Sequence, residues 1–124
     1  MPQVPPVIGY INLHVHDYAQ AVAFYRDVVG LPLLFADESF SFARFAAGGV
    51  TFAVAGDPNL ARQTPAQDRM SGIGFQVPDV DAAHEALKAN GVRFTMPPTK
   101  QPWGGYMAMF ADPEGNVHYL DSMP

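Results

Sequence analysis

Ile73-Gly74-Phe75-Gln76-Val77, then Pro78-Asp79, then Val80 to Ala89 closed by Asn90-Gly91, is the stretch that decides the fold. Ile73, Phe75 and Val77 alternate with Gly74 and Gln76, the period of a half-buried strand. Val80, Ala83 and Leu87 then recur at helical spacing. Asp79 is placed to accept the free amides of the first turn, and Gly91 to close the helix in a left-handed conformation. The same order stands upstream. Ile11, Leu13 and Val15 alternate with Tyr10, Asn12 and His14, Asp17 opens a helix carrying Tyr18, Val22, Tyr25 and Val29, and Gly30 closes it. Asp17 and Asp79 are 62 residues apart, Gly30 and Gly91 61. Two copies of a unit that long read as a duplicated module rather than a solenoid.

Outward from these helices the turn signals mark three more strands in each half. Leu33 to Phe35, Phe40 to Phe45 and Val50 to Val54 follow the first helix, with Gly48-Gly49 as a turn. Val92 to Thr95, Gly105 to Ala111 and Val117 to Leu120 follow the second, punctuated by Pro97-Pro98 and by Asp112-Pro113-Glu114-Gly115-Asn116. Gly56 to Met70 has no periodicity and reads as a linker. The expectation is an α+β chain of two βαβββ modules, about 7–56 and 71–121, joined by a linker of about 57–70 into a single domain over 1–124.

Composition narrows the function classes. Hydrophobic residues make up 48% of the 124, with nine Phe and five Tyr, enough apolar area for a core without crosslinks. The absence of Cys excludes disulfides, thiolate metal sites and Cys nucleophiles. Seven Lys plus Arg stand against twelve Asp plus Glu, a net charge of -5, with the cations scattered from Arg26 to Lys100. Such a chain has no basic patch for a phosphate backbone or an anionic membrane, so neither nucleic acid nor membrane is an expected partner. The opening Met1-Pro2-Gln3-Val4 lacks the basic and long apolar regions of a secretory signal, and the expected location is cytoplasmic.

Val15-His16-Asp17 through Ala21, Phe24 through Leu31, Gly74 through Ala83, Gly91 through Phe94, Trp103-Gly104 and Asp112 through Asn116 together resemble the vicinal oxygen chelate superfamily. That grouping holds glyoxalases, bleomycin-resistance proteins and extradiol dioxygenases. The resemblance spans nearly the whole chain. It implies that the two mixed sheets form an eight-stranded cup with helices on the outer face, that the protein is a homodimer, and that enzymes of the family hold a divalent metal at four strand positions. Counted from the turns, those positions fall here on Tyr10, Gly72, Tyr119 and Ala53 or, with a slipped register, Thr51. Divalent metals of this class want imidazole or carboxylate, so neither a metal nor another cofactor is expected.

The cup face expected from the resemblance carries Tyr10, Asn12 and His14 from the first strand, Gln76 from the fifth, and Tyr119 with Asp121 from the last. Aromatic walls are expected among Phe40, Phe42, Phe45, Trp103, Tyr106 and Phe110, with Met107 or Met109 as an adaptable filler. The ligand-binding candidates are thus Tyr10, Asn12, His14, Gln76, Trp103, Tyr106 and Tyr119, and the ligand a planar or aromatic small molecule. Gln101 to Tyr106 reads as a loop placed to cover it. Family members often carry an Arg after the Trp-Gly pair; Gly105 and Tyr106 stand there, which speaks against an anionic substrate. His14 is the candidate catalytic residue, as general base of a metal-free lyase, isomerase or epimerase. The other enzyme reading has His14 and His16 hold a metal with a carboxylate such as Asp121. His84 is expected on the solvent face of its helix and His118 as a structural residue facing the helix side.

Overall fold

The computed structural model of the protein describes residues 4–60 and 68–124, in two compact units, Met1–Ala61 and Arg62–Pro124. Of the expected linker, residues 61–67 lie outside the described residues.

The first unit runs β1 (Tyr10–Val15), α1 (Tyr18–Ala23), a π-helical continuation (Phe24–Val29), then β2 (Leu33–Asp37), β3 (Phe42–Ala47) and β4 (Val50–Gly56). Asp17 caps α1 as its sequence predicts, accepting the Gln20 amide at 3.0 Å. Gly30 ends the π segment at φ 88, the left-handed region that only glycine enters at no cost. The sheet order is β1-β4-β3-β2, with β1 parallel to β4 and the other pairs antiparallel. Tyr25, from the π segment, is fully buried, with ring centroids 4.8 Å from Phe52 and 6.4 Å from Phe45. The helix therefore covers the sheet face that carries Phe45 and Phe52.

The second unit repeats the plan: β5 (Arg69–Val77), α2 (Val80–Ala89), β6 (Arg93–Lys100), β7 (Tyr106–Ala111) and β8 (Asn116–Ser122), ordered β5-β8-β7-β6. The Asp79 side chain caps α2 through the Ala82 amide at 3.1 Å. Phe110 is the centre of its core, 5.6 Å from Phe75, 6.0 Å from Phe94 and 5.4 Å from the His118 ring. His84 meets Phe94 edge-on at 4.5 Å, so it is half-buried rather than on the solvent face. Two mixed four-stranded sheets, each built as βαβββ, make this an α+β protein. Among the described residues no helix is long and apolar enough to cross a membrane.

Several strand boundaries differ from the sequence expectation, those of β5 and β6 for physical reasons. β6 runs on through Pro97-Pro98, because it is an edge strand whose outer side needs no ladder donors, and its pairing with β7 slips there. β5 begins at Arg69, inside the expected linker, and contains a bulge between Met70 and Gly74 where Gly72 takes φ 76.

Candidate functional site

Alternation along β1 divides its residues. Tyr10, Asn12 and His14 are exposed while Ile11, Leu13 and Val15 turn toward the helix side. Tyr10 is 68% exposed. The pairing carries this face across the sheet in rows: Asn12 opposite Ala53, Ala53 opposite Arg44, Arg44 opposite Phe35; and one row along, His14, Ala55, Phe42 and Asp37. Phe42 therefore shares the face of the three polar candidates. Phe45 does not: it is fully buried under Tyr25, on the side the helix covers. Phe40 stands in the turn before β3, exposed.

Sequence reading missed Arg44. The strand alternation that places Phe42 outward places Arg44 outward with it, two residues on, and that was the available signal. Its guanidinium carbon lies 5.2 Å from the centroid of the Phe35 ring, a cation–π distance. Arg44 is thus an exposed cation on the face of the first sheet that carries Asn12, His14 and Phe42.

On the second sheet Gln76 and Gly74 are exposed on β5. Gly74, Tyr119, Met109 and Met96 form one row, and Gln76, Asp121, Met107 and Thr99 the next. Gln76, Tyr119 and both candidate methionines thus share a face. Trp103 is 74% exposed in the turn between β6 and β7, which is closed by Gln101 N–H to the Gly105 carbonyl at 2.7 Å. Tyr106 stands apart from the face of Gln76 and Tyr119. By its parity it shares the side of Ala108 and Phe110, and its hydroxyl donates to Asp81 of α2 at 2.5 Å. That hydrogen bond to the Asp81 carboxylate, with some burial, raises the Tyr106 pKa.

The residues at the metal positions do not fit a divalent ion. Tyr10 pairs with Thr51 and Asn12 with Ala53, while beyond the β5 bulge at Gly72 it is Gly74 that pairs with Tyr119. Phenol, glycine and a methyl or hydroxyl at Ala53 or Thr51 offer no imidazole or carboxylate lone pair. Among the described residues no cluster of three or more His, Cys, Asp or Glu could hold a metal ion.

The remaining polar cluster of the second unit is structural. Asp112 accepts the Glu114 and Asn116 amides, each at 2.9 Å, and the Asn116 side-chain amide at 2.9 Å, so its carboxylate is occupied by its own turn. His118, fully buried, meets the Ser71 hydroxyl at 2.6 Å through Nδ1.

Among relatives, the uncharacterized protein YraH of Bacillus subtilis (strain 168) is 29% identical over 117 residues, covering 86% of this chain and 91% of its own. A glyoxalase/bleomycin resistance protein/dioxygenase superfamily member from Sphaerobacter thermophilus DSM 20745 superposes with a TM-score of 0.77 at 28% identity, over 96% of this chain and 98% of its own. TnmS3, an antibiotic binding protein from Streptomyces sp. CB03234, superposes with a TM-score of 0.78 at 26% identity, over 99% of this chain and 100% of its own. The family model for the Glyoxalase/Bleomycin resistance protein/Dioxygenase superfamily matches residues 7–118, and with two βαβββ units over that span the chain belongs to this superfamily.

Proposed function

We propose that the protein is a metal-independent small-molecule binding protein that holds a planar or aromatic ligand in the cup expected of its family. The consideration that carries the reading is the donor set: the positions where the family resemblance places metal ligands hold Tyr10, Gly72, Tyr119 and Ala53 or Thr51, none of which supplies the imidazole or carboxylate an enzyme of the family needs. What those positions offer instead suits recognition. The exposed face of the first sheet has hydrogen-bonding groups on β1 and aromatic rings on β2 and β3, the mixture that orients a flat ligand. TnmS3, 26% identical, is described as an antibiotic binding protein, which favours the same class. On this reading His14 is a hydrogen-bonding wall residue. A homodimer in the cytoplasm belongs to the same proposal, supported by the family resemblance alone.

The test is a panel of planar aromatic compounds, read by thermal shift and by Trp103 fluorescence, which is unambiguous because the chain has one Trp. Binders raise the melting temperature and quench the emission. No shift and no quenching at millimolar concentration across the panel would count against a receptor. Stoichiometric metal in protein purified without chelator, lost in His14→Ala, would turn the assignment to an enzyme.

A further inference from the structure

We infer that Arg44 makes the open face of the first sheet a site for a planar anion, an aromatic carboxylate in particular, recognised by its carboxylate at the guanidinium and by its ring at the neighbouring aromatics. The inference rests on the binding-protein reading and names the ligand class for it.

Residues 4–60 contain two cations, Arg26 and Arg44, among five carboxylates. Arg26 is taken up by its neighbour: it donates through Nε and Nη2 to both oxygens of Asp27, at 2.8 and 2.9 Å. Arg44 has no such partner. Among the described residues no hydrogen bond or ion pair engages its guanidinium, whose contact is the Phe35 ring. A carboxylate is close in the pattern, since Asp37 lies on the same face two residues beyond Phe35. It is committed elsewhere: Asp37 Oδ1 accepts the Ser39 hydroxyl at 2.6 Å and the amides of Ser39 and Phe40 at 3.0 and 3.3 Å. The hydroxyl bond, foremost, and the two amides hold its pKa down, so it stays ionised as a turn cap.

The row containing Arg44 also holds a second exposed polar group. Asn12 and Arg44 are exposed on either side of Ala53, which is itself covered. With strands about 4.8 Å apart, Asn12 and Arg44 stand about 10 Å apart across the sheet, a span over which a bicyclic acid held at the guanidinium reaches a second polar contact. Arg is the side chain suited to this work, because its planar fork meets a carboxylate with two parallel donors and the ring beneath it limits the rotamers it must give up. A neutral isostere keeps the ring contact and loses the charge-assisted pair.

The experiment compares 2-naphthoate with 2-naphthamide, titrated into the full chain and followed by the probe's own fluorescence. The native protein is expected to bind naphthoate about tenfold or more tighter than naphthamide. Arg44→Gln should bring that ratio to about one, and Arg44→Lys, which keeps the charge without the fork, should give an intermediate ratio. Since Arg44 is exposed, its variants should keep the native circular dichroism. Equal binding of the two probes by the native protein would overturn the anion assignment and leave the receptor reading standing; so would a preference that survives in Arg44→Gln. Failure of both probes to bind overturns the anion site, and failure of the whole planar panel overturns the receptor with it.

Discussion

His118 shows what one buried side chain does to the pH response. Ser71 Oγ accepts the Ile73 amide at 3.1 Å, lies 3.0 Å from the Val117 carbonyl oxygen and shares a hydrogen bond with His118 Nδ1 at 2.6 Å. This ties the β5 bulge to β8. Burial, opposed by the nearby Asp112 charge, pushes the His118 pKa down to about 4, against about 6.5 for an unfolded histidine. Between those values the unfolded chain binds a proton that the folded chain does not. The stabilisation is therefore complete above about pH 6.5 and is lost as pH falls toward 4, by about 3 kcal/mol in all. Urea denaturation at pH 7 and 4.5 should show this loss. His118→Leu should be less stable at pH 7 and should lack most of the slope between the two pH values; an undiminished slope would assign it to other groups. The role of His118 was legible in its parity on the last strand, but its partner was not, since Ser71 reaches it only through a bulge that no local pattern announces.

At the scale of elements, β4 meets the start of α1 where no side chain fits. A Cβ on Gly56 would lie 2.8 Å from the Tyr18 Cβ and 2.9 Å from the Ser41 Cβ, and the Gly56 amide already donates to the Ser41 carbonyl at 2.7 Å. These neighbours are backbone-anchored, so they cannot swing aside. Gly56→Ala should cost about 1–3 kcal/mol, read as a lower urea midpoint at unchanged slope. A midpoint equal to the native one would mean that the Tyr18 and Ser41 backbones yield freely. The elements themselves were largely legible, because caps such as Asp17 and Asp79 and the period-two runs of β1 and β5 are local signals. What one strand places opposite another is not local. The β5 bulge that brings Gly74 opposite Tyr119 leaves no mark in local alternation, and Tyr106, grouped with Trp103 by adjacency, turns to the helix side to reach Asp81. Arg44 shares the period-two face of Phe42, but a lone Arg in a strand has the pattern of any solvated charge until the fold sets the Phe35 ring beside it.

Across the whole molecule the net charge of -5 sets how an anionic ligand would arrive. At long range the protein repels it, while at contact Arg44 attracts it, and salt weakens both. The two effects separate in the rates. Approach is governed by the summed field, with a screening length of about 30 Å at 10 mM salt and about 8 Å at 150 mM, so added salt should raise the association rate of 2-naphthoate by about twofold. Departure is governed by the contact, and screening the guanidinium–carboxylate pair should raise the dissociation rate as well. Stopped-flow fluorescence of the probe should therefore show both naphthoate rates rising with salt while both naphthamide rates stay flat. In Arg44→Gln the association rate of naphthoate should keep its upward dependence, since removing one cation makes the net charge more negative, while the salt dependence of dissociation disappears. A naphthoate association rate that falls with salt would show that a local positive field, rather than the net charge, steers the ligand in.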